Sequence, residues 1–378
     1  MAGLYLHIPF CRKACHYCNF HFSTSLAYKE RLLHALHKEI VIRNQFLKEK
    51  SLETIYFGGG TPSVLNVLEI ENLLAKISAH FSIQKEAEIT FEVNPDDVNP
   101  VYLEGLLNQG VNRLSVGIQS FHEEDLTYMN RSHSAEQAIQ ALKDINKAGF
   151  KDFSLDLIYG GHTTTNPMWK ENIELALSFK PNHISAYCMT IESNTVFGAW
   201  NKTGKLTSID DEKASEQFTI LTEALKEKGY EHYEISNFAL PGRYAVHNTN
   251  YWMGKPYLGI GPSAHSYKNN KRTWNISNNA KYMSSIENNE LPFSEEVLTL
   301  ADRYNEYIMT RLRTMWGIDL NYLKDSFGED IYTTTLNKSM DKNIKNLITS
   351  KGDCIKLSED GKMFADAVAS HFFVINDE

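Results

Sequence analysis

Six short β-rich runs, at 4–8, 54–57, 88–93, 113–118, 153–158 and 183–189, recur through the first half of the chain, each followed by a helical pattern. Strands that alternate with helices in this way pair in parallel, with the helices covering the sheet. The clearest helix spans 134–148. Ser134 and Gln137 make an S-x-x-Q capping box, Ala138, Leu142 and Ile145 share one face, and Gly149 stands at the C′ position. A second, at 210–228, carries Ala214, Phe218, Leu221 and Leu225 at helical spacing and stops at Gly229. A closed eight-unit barrel needs two more units than these six. The expectation is therefore an α/β fold, a partial (β/α)6 barrel of TIM-like design, with chemistry at the C-terminal ends of its strands.

After Tyr230 the pattern changes to a Gly, Asn and aromatic-rich stretch through Tyr267, then a polar linker over 268–295. A helical run with Leu298, Ala301, Tyr304, Ile308 and Leu312 opens a C-terminal module, which closes with a hairpin at 354–362 and a last helix. The expected division is a barrel at 1–236, a connecting segment at 237–295 and a smaller, mostly helical module at 296–378. Helices followed by a hairpin suit a winged helix and DNA. Residues 297–378, however, hold 10 basic against 13 acidic side chains, and the whole chain has 38 against 47. Neither balance favours nucleic acid, so the module reads as a packing or lid unit. No apolar run approaches the 18 residues of a membrane span, and a strand beginning at Leu4 leaves no room for a leader, which points to the cytoplasm.

Five cysteines are too few for a disulfide scaffold, and three of them, Cys11, Cys15 and Cys18, fall within eight residues as C-x3-C-x2-C, just past the first strand. Three thiolates on one loop can converge on one centre. Spacing alone leaves two centres open: an iron–sulfur cluster, or a zinc tetrahedron completed by His21. Cys188 reads as a small core residue and Cys354 as a strand or hairpin residue. Beyond the second strand, Gly58, Gly59, Gly60 and Thr61 form a turn whose backbone can approach a ligand closely. Glu92, Gln119, Arg131 and Asp156 lie at or after the ends of the next three strands.

Together these motifs resemble the radical S-adenosylmethionine (SAM) superfamily: C-x3-C-x2-C with Tyr17 before its third cysteine, then YFGGGTPS. The further segments HIPFC, FEVNP, LSVGIQSF, DLIYG, ISAYCMTIE and GIGPSAHSY resemble one branch, the oxygen-independent coproporphyrinogen III oxidase group, over about two thirds of the chain. The resemblance implies a 4Fe–4S cluster on Cys11, Cys15 and Cys18, with its fourth iron open to SAM. It implies SAM contacts from Tyr5, Gly59, Gly60, Thr61, Glu92, Gln119, Arg131 and Asp156, with Tyr17 packed nearby. Relatives commonly read YGLPGQT after strand five, whereas this chain has YGGHTTT at 159–165.

Two features separate the oxidases from a haem chaperone subgroup. Oxidases usually carry a fourth cysteine two residues after the third, where this chain has Phe20, and V-H-N-T-N-Y-W matches the subgroup's H-N-x-x-Y-W motif through His247, Asn248, Tyr251 and Trp252. An imidazole can ligate haem iron, and Tyr251 and Trp252 offer flat faces to a porphyrin. His265 is either a second ligand or a loop former. The resemblance thus implies a haem chaperone with cluster, SAM and haem (through His247) as cofactors. Its partner would be an unidentified haem-acceptor protein, with transient membrane association only alongside that acceptor. Radical decarboxylation of coproporphyrinogen III is the alternative, and a zinc-stabilised binding module a third.

Overall fold

The computed structural model describes residues 2–374. All six expected strands form: β1 (Ala2–Ile8), β2 (Ser51–Gly59), β3 (Ser82–Val93), β4 (Arg113–Gln119), β5 (Asp152–Tyr159) and β6 (His183–Cys188). They pair in parallel and in chain order. The helix Ala135–Ala148 carries the expected capping box, and Gly149 ends it in the left-handed region at φ 87°. The second expected helix is Asp211–Glu227, capped by Asp210.

Along β3 to β6 the side chains divide by parity. Phe91, Leu114, Val116, Leu155, Leu157 and Ile184 point outward and are fully buried in the main core under the helices. The alternate residues point inward and line one cavity, among them Glu92, Ser115, Asp156 and Ser185. A period of two thus assigns one face to stability and the other to a polar interior.

The segment 268–295 is not a linker. β7 (Glu231–Glu234) and β8 (Asn237–Ala239) add antiparallel strands beside β6. β9 (Tyr257–Ile260) pairs in parallel with β1 on the other flank, and β10 (His265–Lys268), β11 (Lys271–Asn275) and β12 (Phe293–Val297) continue as an antiparallel meander. Among the described residues the sheet has twelve strands, in the open order β12-β11-β10-β9-β1-β2-β3-β4-β5-β6-β8-β7. These late strands have three to five residues, too short for a clear period, and all of β12 is exposed, so they carry little strand signal.

A buried ionic knot holds the late strands to the barrel. Glu39, fully buried on the helix Lys29–Ile42, accepts from the Tyr282 hydroxyl at 2.5 Å, from Asn275 Nδ2 at 2.7 Å and from the Gly261 N–H at 2.8 Å. Arg43, one turn on, lies 3.5 Å from Glu39 and donates to the Gly259 carbonyl and the Ser266 and Thr273 hydroxyls. Removing one partner of such a pair strands the other charge in the interior. Glu39→Ala is expected to cost about 3–5 kcal/mol in urea unfolding; a loss below about 1 kcal/mol would mean the knot is not structural.

The C-terminal unit has its own core, built on Tyr304, Ile308, Leu312, Leu323, Ile355, Val368 and Phe372. Its hairpin pairs β14 (Ile348–Lys351) with β15 (Cys354–Leu357), and β13 (Ile318–Asp319) lies on the far side of β15. The hairpin therefore turns before CIKL, at Gly352 with φ 58°, and not after it. The SEDGK run expected to complete it enters a short 3-10 turn, Asp360–Phe364. Cys354 sits on β15, where its thiol donates to the Trp316 carbonyl at 3.0 Å. No helix among the described residues is long and apolar enough to cross a membrane.

Candidate active site and the barrel floor

The inward faces of β2 to β6 and the cysteine loop enclose a cavity of about 550 Å³. Of the expected site residues, Cys11, Cys15, Tyr17, Cys18, Gly59, Gly60, Thr61, Glu92, Gln119, Arg131 and Asp156 all line it. Chain geometry explains the gathering: each stands at or just beyond the C-terminal end of a parallel strand, so the topology delivers them to one mouth.

Backbone bonds hold the cysteine loop. Cys11 N donates to Ser23 O at 3.0 Å and His16 N to Met129 O at 3.0 Å, while Asn130 Nδ2 donates to Ala14 O at 2.8 Å. The Gly60 N–H donates to Ile8 O at 2.9 Å, which sets the glycine turn against the loop. A Cβ on Gly60 would lie 2.7 Å from Phe10 O and 3.0 Å from Cys11 Sγ, so only glycine permits this approach.

Arg131 organises the charge. Its guanidinium reaches Asn94 Oδ1 at 2.8 Å, the Gly117 carbonyl at 2.9 Å, Cys15 Sγ at 3.3 Å and the Tyr17 hydroxyl at 3.4 Å. Thr61 donates to Cys11 Sγ at 3.5 Å. Burial pushes the Cys11 thiol up to about 11, helped by Cys18 and Cys15, and raises Cys18 as well. The Cys11 and Cys18 thiols, raised in this way, stay protonated until a cation displaces their protons.

The donor set fits a cluster better than a single zinc ion. A closed zinc site takes four donors, and the loop's cysteines supply three, Cys11, Cys15 and Cys18. His21, the expected fourth zinc ligand, is held at 2.7 Å from Asn279 Oδ1 and stacks on His7. Four cavity-lining residues also carry buried polar atoms without a protein partner among the described residues, Thr90 Oγ1, Arg113 Nη2, Arg131 Nε and His183 Nδ1, which suits a polar ligand.

Glu92 accepts from the Tyr56 hydroxyl at 2.8 Å and has no cation beside it among the described residues. Burial chiefly, with Asp156 adding to it, lifts its carboxyl to about 7. Burial likewise lifts Asp156 to about 6, against hydrogen bonds from Ser185 and Ser115, the latter at 3.1 Å. Gln119 occupies the left-handed region at φ 66°, beside a register shift between β4 and β5. Bulges of this kind re-aim side chains at a barrel rim.

Other expectations shift. Tyr5 is not in the cavity wall: it lies against Gly58, stacked on Tyr56, with its hydroxyl 3.1 Å from His7 Nδ1. Cys188 packs against the main core, as expected, and also lines the cavity. The YGGHTTT turn stays outside the lining, tied down by Thr163 and Thr164 hydroxyls on Asp125. Asn94 and Tyr56, not singled out from sequence, are in the wall, and the parity of β2 and β3 would have found them. Phe20 stands at the mouth, 72% exposed. His265 is exposed on β10 and stacks on Trp274.

His247 lies elsewhere. The helix Val246–Trp252 closes the end of the barrel where β2 and β3 enter, its first N–H groups donating to the Glu88 carboxylate at 2.9 Å. His247 is buried and stacks on Tyr56 at 5.0 Å between ring centres. Its Nδ1 is 2.7 Å from Thr54 Oγ1 and its Nε2 2.6 Å from the Tyr251 hydroxyl. Burial pushes its pKa down to about 3, so the ring is neutral. Ala245 and Asn248 border the active-site cavity, while Tyr251 and Trp252 border a second one. The helix is thus a floor shared by two chambers.

Comparison with known proteins agrees with this geometry. The family model described as the Radical SAM superfamily matches residues 5–176, and that of the HemN C-terminal domain matches 298–364. The "Heme chaperone HemW" of Synechocystis sp. is 35% identical, covering 83% of this chain and 78% of the relative. Its Bacillus subtilis namesake is 30% identical, covering 98% of this chain and 99% of the relative. The solved coproporphyrinogen III oxidase HemN from Escherichia coli superposes with a TM-score of 0.83 at 23% identity, covering 99% and 90% of the two chains, which establishes the shared fold. With its cysteine loop, strand-end ligand set and HemN-type C-terminal unit, the chain belongs to the radical SAM superfamily and, within it, to the heme chaperone HemW family.

Proposed function

We propose that this protein is a haem chaperone that binds a 4Fe–4S cluster through Cys11, Cys15 and Cys18, SAM in the barrel cavity, and haem at the barrel floor, and passes the haem to an acceptor protein. The cluster and SAM are implied by the superfamily; when bound, they supply one-electron chemistry that side chains alone lack. Gly59, Gly60 and Thr61 would present backbone and hydroxyl groups to SAM, Glu92 and Asp156 would hold its polar groups, and Arg131 would balance thiolate charge. The division of labour follows 1–236 for cluster and SAM, 237–295 for haem contact and 296–378 as a cover, in a cytoplasmic protein.

One observation carries the haem reading: the helix bearing His247, Tyr251 and Trp252 separates the active-site cavity from a second, aromatic chamber. With Nδ1–H donated to Thr54, the Nε2 lone pair of His247 receives the Tyr251 hydroxyl. A swing of that one side chain frees the neutral nitrogen for iron while the imidazole stays stacked in place. Phe20 speaks against the oxidase alternative, since it puts an exposed apolar ring where oxidases carry a thiol.

Reconstituted anaerobically and titrated with haem, the protein is expected to give a Soret shift that His247→Ala loses, with no conversion of coproporphyrinogen III. Steady turnover to protoporphyrinogen IX would refute the reading. A second expectation concerns SAM and pH. With a carboxyl near 7, Glu92 is mostly neutral at pH 6 and mostly ionised at pH 8. The ionised form attracts the ligand's cationic groups, so SAM affinity measured by calorimetry should rise about tenfold over that range. Glu92→Gln should flatten the slope; an unchanged slope would remove Glu92 from the SAM contact.

A further inference from the structure

We infer that the second chamber is a porphyrin cleft in which Arg303 and Arg311 hold the propionate groups of the ring. The inference rests on the haem reading above and adds the walls and the charges of the site. The chamber has a volume of about 730 Å³, within the range of small-molecule sites. It opens between the main sheet and the C-terminal unit.

Both walls are aromatic. From the sheet side come Tyr251, Tyr257 and Tyr267, with Tyr251 and Tyr257 4.5 Å apart between ring centres. From the C-terminal unit come Tyr307, Tyr322 and Phe327, with Tyr307 and Tyr322 4.9 Å apart. Such walls favour a flat, largely apolar ligand. Four cations line the chamber, Lys255, Arg272, Arg303 and Arg311, against two carboxylates, Glu306 and Asp319, in a chain whose formal charge is −9. Lys255 pairs with Glu53, and Arg272 with Glu306 and Glu296.

Arg303 and Arg311 have no carboxylate partner among the described residues. Arg303 donates to Asn270 Oδ1 at 3.4 Å and lies over the Phe327 ring. Arg311 donates Nε to the Gly317 carbonyl at 3.0 Å, and its Nη1 is set against the Met253 thioether, a weak acceptor. Two forked donors short of anions, between aromatic walls, match a planar dicarboxylate. Tyr251, which lines the chamber and holds His247 Nε2, joins the cleft to the proposed iron ligand.

The test uses the full-length, cluster-loaded protein and metal-free protoporphyrin IX, so that affinity reports ring and propionates without iron. By fluorescence anisotropy, Arg303→Gln/Arg311→Gln should bind it at least about tenfold more weakly than wild type, and the Lys/Lys variant should recover part of the loss. The porphyrin dimethyl ester should bind wild type about tenfold more weakly than the free acid, a comparison that needs no variant to fold. Equal affinities of folded wild type and the Gln/Gln variant, or of ester and acid, would overturn the cleft. A haem Soret shift that depends on His247 but not on the arginines would sink the cleft and keep the haem reading. Porphyrin affinity that depends on the arginines, with a Soret shift indifferent to His247, would do the reverse for the ligand assignment.

Discussion

Cys18→Ala should leave the chain folded and empty it of iron. The cysteine loop is fixed by main-chain bonds to Ser23, Met129 and Phe197, and none of the three thiols belongs to a hydrophobic core. All three are only partly buried. Deleting one sulfur therefore removes little packing, and unfolding of the metal-free variant should stay within about 1 kcal/mol of metal-free wild type. His21 is not free to take its place, being committed to Asn279. After anaerobic reconstitution, iron and sulfide analysis should fall from about four of each per chain to a small residue. Full iron content in the alanine variant would show that another side chain completes the site.

His247→Ala should cost stability as well as haem. The ring fills the space between Thr54, Tyr56 and Tyr251, and its removal opens a void and leaves two hydroxyls without their partner. Cavity and unpaired polar groups together predict about 2–4 kcal/mol in urea unfolding. Haem titrations of this variant thus need the folded fraction measured beside them. Tyr251→Phe is the cleaner probe, since it deletes one hydroxyl, costs about 1 kcal/mol and bares Nε2 toward the cleft. Its haem spectrum should keep the imidazole-ligated Soret position. A lost Soret shift in the phenylalanine variant, with stability intact, would make the phenol oxygen the ligand.

The parallel half of the molecule was legible because its strands alternate so plainly. Leu155 and Leu157 face helices while Ser154 and Asp156 face the cavity, and that parity sufficed to locate β5 and its carboxylate. The strand-end residues followed, since topology carries every such end to one mouth. The late strands escaped for the opposite reason. β12 reads FSEEV and is held by ladder bonds and exposed ion pairs such as Lys271–Glu295, none of which leaves a hydrophobic period. Tyr5 shares the inward parity of β1 but lies deeper, against Gly58, a depth that parity alone does not encode. His247 was found as a residue, but not as the floor of the barrel, because its contacts with Thr54 and Glu88 span 193 and 159 positions of chain.

That floor connects the two ends of the barrel. Tyr251 touches His247, His247 stacks on Tyr56, and the Tyr56 hydroxyl holds Glu92, so a single column of rings runs from one chamber to the other. Tyr251 can turn aside while His247 keeps its stack on Tyr56 and its bond to Thr54, so the column holds its place at the upper end. Any coupling between guests at the two ends would run along these three rings and would be equal in both directions.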